Sequence, residues 1–259
     1  MRIVIKLGTS VLTHNTGRLN IRRVEELCKV ISDLKNAGDE IIMVSSGAIG
    51  MGVGKLGLRE KPTDIPTKQA AAAVGQCELM YTYDKLFSEY NHTVAQILIT
   101  NEDIEYEDRC TNFKNTTCRL LQMGVIPIIN ENDSISTDEI VIGDNDTLGA
   151  IVATTIKADL LIILSDIDGL YTADPRKVKD AVMLHTVKEI TKEIESMTGG
   201  AGTALGTGGM ITKIKAAKIA NAGGTDMVIA NGCDPKILYK IVNGEDVGTR
   251  FLSGKAVRK

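Results

Sequence analysis

The sequence predicts an α/β fold with a parallel sheet, and three stretches near the N-terminus carry that prediction. Residues 2–7 form a short apolar run typical of a buried strand, and the run stops at Gly8. A helix is predicted from Asn20, a good N-cap, to Ala37. Residues 40–45 are a second apolar strand. Two strands joined by a helix make a βαβ unit, which implies parallel pairing.

The rest of the chain continues this alternation of strands and helices. We predict helices over 67–90, 109–123, 147–157 and 187–197 and from residue 235, and strands over 93–99, 125–129, 159–164 and 226–230. The acidic stretch 101–107 is expected on the surface, and the end of the chain is expected to be a polar tail. Without a linker or an internal repeat, residues 1–259 are predicted to form a single domain.

Composition excludes several classes of function. The 259 residues are 43% hydrophobic and 24% charged with a net charge of −3, so no bulk basic field attracts nucleic acid. No apolar run approaches the roughly 20 residues that a membrane span needs. Five scattered cysteines, an odd number without metal-ligand spacing, favour reduced thiols. The N-terminus enters a strand directly, so no signal peptide is expected, and we predict a cytoplasmic protein without nucleic-acid or membrane partners.

The stretch from Gly206 to Asn221 begins rich in glycine and continues as an amphipathic helix. Glycines allow close approach to a ligand, and a helix start attracts anions, so the pattern indicates a phosphate cradle with Lys213 beside it. The alternative is a flexible loop before a surface helix. Lys6 poses a similar choice, because a lysine in an apolar strand either extends its ammonium group to water or faces a ligand.

Polar residues follow several of the predicted strands, at the edge where α/β sheets bind ligands. One such group is 45–50, where small residues suit a carboxylate or phosphate. The G-x-G-x-x-G match at 52–57 begins too late after the strand for a dinucleotide site. The amide and carboxylate groups of 130–134 and 143–146 indicate a site for an amino acid substrate, with an Asx-rich turn and an N-cap at Asp146 as the alternative. Residues 165–171 are predicted to contact a nucleotide.

Six motifs in order resemble the glutamate 5-kinases of the amino acid kinase family. They are Lys6-Leu-Gly-Thr-Ser, Ser45-Ser-Gly-Ala-Ile, Ile129-Asn-Glu-Asn-Asp133, Gly143-Asp-Asn-Asp146, Leu170-Tyr-Thr-Ala-Asp-Pro-Arg176 and Gly206-Thr-Gly-Gly-Met. The resemblance covers essentially the whole chain. It implies a three-layer αβα sandwich around a mainly parallel sheet of about eight strands. It also implies ATP- and Mg²⁺-dependent phosphorylation of the side-chain carboxylate of L-glutamate, the first step of proline biosynthesis.

The resemblance assigns roles to residues at matching positions. Lys6 and Lys213 match phosphate-contacting lysines, and Asp146 matches an aspartate that positions both. The positions that match glutamate-binding residues are Ser46, Gly47, Asp133 and Asn145. The positions that match nucleotide contacts are Lys6, Ser165, Asp166, Thr207, Gly208, Gly209, Met210, Ile211, Thr212 and Lys213. No protein ligand for the metal is assigned.

The chain departs from the family pattern at two points. Ser165 stands where many members have threonine, which keeps the hydroxyl. Many members also continue into a C-terminal PUA domain. We expect this chain to resemble the short form without it, with a truncated version of the longer form as the alternative. The resemblance further implies feedback inhibition by proline, handover of the acyl phosphate to a glutamyl-phosphate reductase, and a homodimer or homotetramer.

The residues fit this chemistry, because a carboxylate is ionised at neutral pH and needs no general base. Accordingly His14, His92 and His185 lie outside every motif. Two alternatives remain open. One is a kinase of the same fold acting on another carboxylate or phosphate acceptor, and the other is a non-catalytic sensor of proline or glutamate. An RNA-binding protein is disfavoured, since there is no basic stripe and aromatics make up only 3%.

Overall fold

The structure is a computed structural model that describes residues 1–14, 18–60, 62–135, 144–173, 175, 177–197 and 209–254. Its strands are β1 Arg2–Leu7, β2 Glu40–Ser45, β3 Val94–Ile99, β4 Ile126–Glu131, β5 Leu160–Ser165, β6 Leu170–Tyr171, β7 Met183–Leu184, β8 Thr186–Val187, β9 Asp226–Asn231 and β10 Thr249–Phe251. Its helices are α1 Thr9–Leu12, α2 Ile21–Asn36, α3 Ala48–Leu56, α4 Ile65–Ser88, α5 Asn101–Glu105, α6 Glu107–Gln122, α7 Asn145–Thr155, α8 Lys192–Met197, α9 Met210–Ala222 and α10 Ile237–Val242. No described helix is long and apolar enough to cross a membrane.

The central sheet has eight of the described strands, in the order β3-β4-β2-β1-β5-β9-β10-β8. Neighbouring strands run parallel except for β10, which pairs antiparallel with β9. The short strands β6 and β7 form a separate antiparallel pair. The predicted α/β class and the mainly parallel sheet of about eight strands are therefore confirmed.

The strand order predicts a ligand-binding crevice at the carboxyl end of β1, because the chain continues to opposite sides of this strand. This strand pairs with β2 on one side and with β5 on the other, so the strand order reverses around it. Such a switch point is where open α/β sheets bind ligands. Leu7 is in register with both Ser45 and Leu164, so the loops after all three strands begin at one level of the sheet.

Helices cover both faces of the sheet and make it the middle of three layers. Alternate residues of β1 point to opposite faces, as the pleat requires: Ile3 and Ile5 join one buried cluster and Val4 joins another. The first cluster includes apolar residues of α2, α4 and α10, and the second includes those of α6, α7 and α9. The αβα sandwich is thus built from two aliphatic cores.

Helices α3 and α4 cross in very close contact through two glycines. A Cβ atom added to Gly52 would lie 1.8 Å from the carbonyl oxygen of Ala71, and one added to Gly75 would lie 1.7 Å from that of Ala48. The absence of a side chain at both glycines is what allows this close approach. The crossing fixes the first turn of α3, which directly follows the polar loop after β2. The G-x-G-x-x-G match falls within α3 and its C-cap, not in a strand-to-helix turn.

Four sequence-based assignments differ from the structure. The predicted helix 187–197 is shorter, because β8 ends at Val187 and α8 begins only at Lys192. The acidic stretch contains α5, whose start is stabilised by a capping box between Thr100 and Asp103. The helix α3 was missed. The expected polar tail contributes β10, whose Phe251 is fully buried.

The glycine crossing gives a prediction about stability. Gly75→Ala should lower the free energy of unfolding by at least about 2 kcal/mol, because the new methyl group meets the backbone of α3 and overpacks the contact. Urea denaturation measures this loss. The matched control is Gly54→Ala, where a Cβ meets nothing within 4 Å. That substitution should leave stability unchanged or raise it by up to about 1 kcal/mol. Equal effects of the two substitutions would contradict the prediction.

Candidate active site

Lys6, near the end of β1, lies inside the protein, and its exposed fraction is 7%. The sequence left two options for this side chain, and the structure turns it towards α7. A Cβ added to Gly149 of α7 would lie 3.4 Å from Cβ of Lys6, so this glycine leaves room for the lysine stem. The ammonium group ends 2.7 Å from Oδ1 of Asp146.

Asp146 holds a second lysine with its other carboxylate oxygen. Nζ of Lys213 donates to Oδ2 of Asp146 at 3.0 Å, and the hydroxyl of Thr212 lies 2.8 Å from the same oxygen. Lys213 and Asp146 are 2% and 1% exposed. Burial on its own would raise the pKa of Asp146, but Lys6 and Lys213 outweigh burial and lower it. This group of two lysines and one aspartate therefore carries one net positive charge.

The start of α7 explains why Asp146 is available for this role. The N-cap is Asp144, whose side chain accepts hydrogen bonds from the backbone N–H of Thr147 at 2.6 Å and from its hydroxyl at 3.0 Å. The alternative interpretation of Asp146 as the N-cap is therefore wrong. Because Asp144 satisfies the helix end, the carboxylate two residues later faces the lysines.

Beside this group, buried and half-buried amides connect four parts of the fold. Nδ2 of Asn145 donates to the carbonyl of Ser45 at 3.1 Å, to Oγ of Ser46 at 2.7 Å and to Oδ1 of Asn130 at 3.3 Å. Nδ2 of Asn130 in turn donates to Oε1 of Gln76 at 2.9 Å. The network joins α7, the loop after β2, the end of β4 and helix α4.

A cavity of about 380 Å³ opens next to the amide network. Two acids of the β4 end line it, and burial raises the pKa of both. The pKa of Glu131 rises to about 7, with burial as the largest cause and the charges of Asp133 and Asp144 adding to it. The pKa of Asp133 is raised by burial. The lining residues are Ala48, Ala72, Ala73, Gln76, Cys77, Met80, Gln96, Leu98, Glu131, Asn132, Asp133 and Ser134.

The predicted nucleotide contacts lie after β5 and at the start of α9. Ser165 is 7% exposed, and its hydroxyl donates to the exposed Asp166 at 3.1 Å. Gly209 is the N-cap of α9 and has no side chain to satisfy the first N–H groups of the helix. Met210, Ile211, Thr212 and Lys213 form the first turn of that helix. Thr207, Gly208 and the segment 136–143 lie outside the described residues.

Comparison with known proteins fits this geometry. A model of the amino acid kinase family matches residues 1–231. The chain belongs to the amino acid kinase family. It is 57% identical to a protein of Clostridium perfringens named glutamate 5-kinase, over 98% of this chain and 96% of that one. A glutamate 5-kinase of Caldanaerobacter subterraneus is 53% identical over 98% of this chain and 68% of its own length. Carbamate kinase from Giardia lamblia bound to AMP-PNP has the same fold, with a TM-score of 0.69, 20% identity and coverage of 97% and 98%.

Sequence reasoning missed two residues of α4 in this amino acid kinase. Gln76 belongs to the amide network, and the hydroxyl of Tyr83 lies 2.9 Å from Oγ of Ser45 in a buried contact. Burial raises the pKa of Tyr83, which stays a neutral phenol. The signal was present in the sequence, because Gln76 and Tyr83 lie on the same helix stripe as the buried Leu79 and Phe87. A polar group in an apolar stripe needs a partner.

Removing the shared carboxylate should destabilise this amino acid kinase. Asp146→Asn leaves two buried ammonium groups without their counter-charge, so the free energy of unfolding should fall by at least about 3 kcal/mol. Urea denaturation measures the change. Asp144→Asn is the matched control, because asparagine caps a helix as well as aspartate does. A loss no larger for Asp146→Asn than for Asp144→Asn would refute the role of the charge.

Proposed function

We propose that the protein transfers the γ-phosphoryl group of ATP to the side-chain carboxylate of L-glutamate, which gives L-glutamyl 5-phosphate, the first step of proline biosynthesis. One observation carries the proposal: two buried lysines meet on Asp146 beside a cavity lined by Glu131 and Asp133. The two lysines suit a transferring phosphoryl group, and the acidic cavity suits an ammonium group. The 57% identity to a protein named glutamate 5-kinase supports this choice of substrate.

The nucleophile in this reaction is already charged. The side-chain carboxylate of glutamate has a pKa of about 4.3, so it is ionised at neutral pH and no side chain has to remove a proton. The barrier is then the repulsion between this carboxylate and the triphosphate. Catalysis requires alignment of the two reactants and positive charge around the phosphoryl group in transit.

The lysine group supplies that charge. We assign Lys6 to the transferring phosphoryl group and Lys213 to the oxygens of the β/γ bridge and the leaving group. Asp146 holds both ammonium groups in place, which fixes their positions before the substrates arrive and avoids reorganisation during transfer. Thr212 restrains Asp146 from the side of α9 through its 2.8 Å contact.

The cavity and the amide network are assigned to the amino acid. The ammonium group of glutamate is drawn to Asp133 and Glu131, and its reacting carboxylate points to the lysines. Asn145 and Ser46 lie between these two ends. The orientation of Asn145 is fixed, since its Nδ2 donates to the backbone carbonyl of Ser45. Its Oδ1 is then an acceptor that suits an ammonium group. Gly47, with a φ of 97°, shapes the loop beside them.

The nucleotide is assigned to the side of β5 and α9. The exposed carboxylate of Asp166, the hydroxyl of Ser165 and the first turn of α9 at Gly209 are its proposed contacts. Mg²⁺ would be held mainly by phosphate oxygens, because it keeps several waters and rarely occupies an all-protein site. Its chemistry there is to neutralise phosphate charge. Among the described residues, no group of three histidine, cysteine or acidic side chains is arranged to hold a metal.

Further parts of the proposal concern regulation and assembly. We also predict feedback inhibition by proline at or overlapping the glutamate site, and handover of the product to a glutamyl-phosphate reductase. We further predict a homodimer or homotetramer, a single domain over 1–259 and a cytoplasmic location. Inhibition by proline that is unaffected by glutamate concentration would contradict an overlapping site.

The first experiment measures ADP release with L-glutamate, ATP and Mg²⁺, with hydroxylamine added to trap an acyl phosphate as a hydroxamate. Glutamate-dependent ADP together with hydroxamate is the expected result. ADP without hydroxamate would indicate a different acceptor. No ADP, with thermal stabilisation by proline or glutamate, would favour the non-catalytic sensor.

The lysines give a prediction about kinetics. Lys6→Met and Lys213→Met should each lower kcat at least about 100-fold, with a much smaller change in the KM for glutamate, because their charge acts on the phosphoryl group in transit. Steady-state kinetics measures both constants. Lys215→Met is the matched control, since Lys215 is exposed on the same helix. Near-normal kcat in either active-site variant would refute the assignment.

Glu131 gives a prediction about pH. Its pKa of about 7 means that it gains its charge as the pH rises through 7, and a charged Glu131 attracts the ammonium group of glutamate. The KM for glutamate should therefore fall several-fold between pH 6 and pH 8. Glu131→Gln should flatten this dependence, whereas the distant Glu245→Gln should leave it intact.

Glu131→Gln should weaken substrate binding at high pH but stabilise the folded protein there. An acid whose pKa is raised by folding costs stability above that pKa and costs nothing below its unfolded value near 4.5. Glu131→Gln should thus stabilise the free protein at pH 8 more than at pH 4.5. A pH-independent difference in unfolding free energy would argue against the raised pKa.

A further inference from the structure

The side chain of Gln76 has an orientation that the network determines without ambiguity. The backbone N–H of Glu131 donates to Oδ1 of Asn130 at 2.9 Å, and a backbone N–H can only donate. Nδ2 of Asn130 therefore faces Gln76 and donates to its Oε1 at 2.9 Å. The amide nitrogen of Gln76 must then point away from Asn130.

This amide nitrogen is a buried donor that the fold does not use. Gln76 is 7% exposed, and its Nε2 has no hydrogen-bond partner among the described residues. An unpaired buried N–H group costs roughly as much as a lost hydrogen bond, so native structures seldom leave one without a purpose. Gln76 also lines the 380 Å³ cavity, together with Glu131 and Asp133.

The charges around the cavity indicate which ligand group this donor meets. The described lining residues include acids at Glu131 and Asp133 and no lysine, arginine or histidine. A carboxylate that enters together with an ammonium group must therefore be bound by neutral N–H and O–H donors. Asn130 and Asn145 separate Gln76 from the lysine group, so the carboxylate within its reach is the one that does not react.

We propose that Gln76 is a specificity-determining residue that binds the α-carboxylate of the amino acid substrate through Nε2, while its Oε1 accepts from Asn130. The proposal rests on the proposed function, because it takes the substrate to be an α-amino acid with a second carboxylate. A single amide then has two tasks: it recognises the substrate and aligns the network that reaches Asn145 and Ser46. Selectivity follows because a ligand without the α-carboxylate leaves the buried donor unpaired.

The test compares L-glutamate with 4-aminobutyrate, which has the ammonium group and the reacting carboxylate but lacks the α-carboxylate. Gln76→Met should raise the KM for glutamate at least about 10-fold, with little change in kcat or in the KM for ATP. The inhibition constant of 4-aminobutyrate against glutamate should rise several-fold less than this KM, because only the loss of the bond to Asn130 affects that ligand. A residue that only held Asn130 in place would weaken both ligands alike, and that result would overturn the proposal.

A second variant keeps the bond to Asn130 and replaces only the donor. Gln76→Glu retains an oxygen that accepts from Asn130 but turns the donor into an acceptor, so at pH 8.5 the KM for glutamate should rise about 100-fold. An unchanged KM for glutamate in folded Gln76→Glu would overturn the proposal. This result decides the question even if Gln76→Met does not fold or 4-aminobutyrate does not compete with glutamate. Thermal melting of each variant reports folding.

Two controls separate the possible failures. Gln122→Met makes the same replacement at an exposed glutamine of α6 that does not line the cavity, and it should leave the KM for glutamate unchanged. A loss as large as that of Gln76→Met would show that the effect is not specific to the cavity and would overturn the proposal. Wild-type protein without glutamate-dependent hydroxamate would count against the proposed function itself. Normal wild-type turnover with an unchanged KM in Gln76→Glu would count against Gln76 alone.

Discussion

The ion pairs of Asp146 with Lys6 and Lys213 are the interaction on which the rest of the site depends. These three charged side chains are between 1% and 7% exposed, and an unpaired ammonium group is very costly at such a buried position. One carboxylate cannot neutralise two lysines, so this group of three side chains has one net positive charge. In the proposed reaction a phosphoryl group supplies the counter-charge for it, so the excess would serve ligand binding and not stability.

The parallel sheet makes this arrangement possible, since it brings together residues far apart in the chain. β1 lies between β2 and β5, and the loops after these strands begin at one level. Lys6 comes from the middle strand, whereas Lys213 and Asp146 come from helices on one face. The contact of Thr212 with Asp146 links α9 to α7 as well. Precise placement of charge thus follows from rigid elements and not from loops.

The sequence predicts this architecture well wherever a residue contradicts its local pattern. Lys6 inside an apolar strand and Lys213 after a glycine-rich run were recognisable for that reason. Asp146 was ambiguous, because aspartate at a helix start has an ordinary explanation as a cap, and only the position of Asp144 removes that explanation. The contacts of Gln76 could not be predicted, since a glutamine on a helix stripe does not reveal that its partner lies 54 residues further on.

In the proposed function, the charges of the site form two halves that orient the amino acid substrate. The half at Lys6 and Lys213 is positive, and the half at Glu131 and Asp133 is acidic. Neutral amides of Asn145 and Asn130 lie between them, so neither set of charges neutralises the other at short range. A zwitterionic substrate that also has a distant carboxylate satisfies both halves in only one direction, with its reacting end at the lysines. Orientation of the substrate is therefore a consequence of the protein's own separation of charge, which exists before either substrate binds.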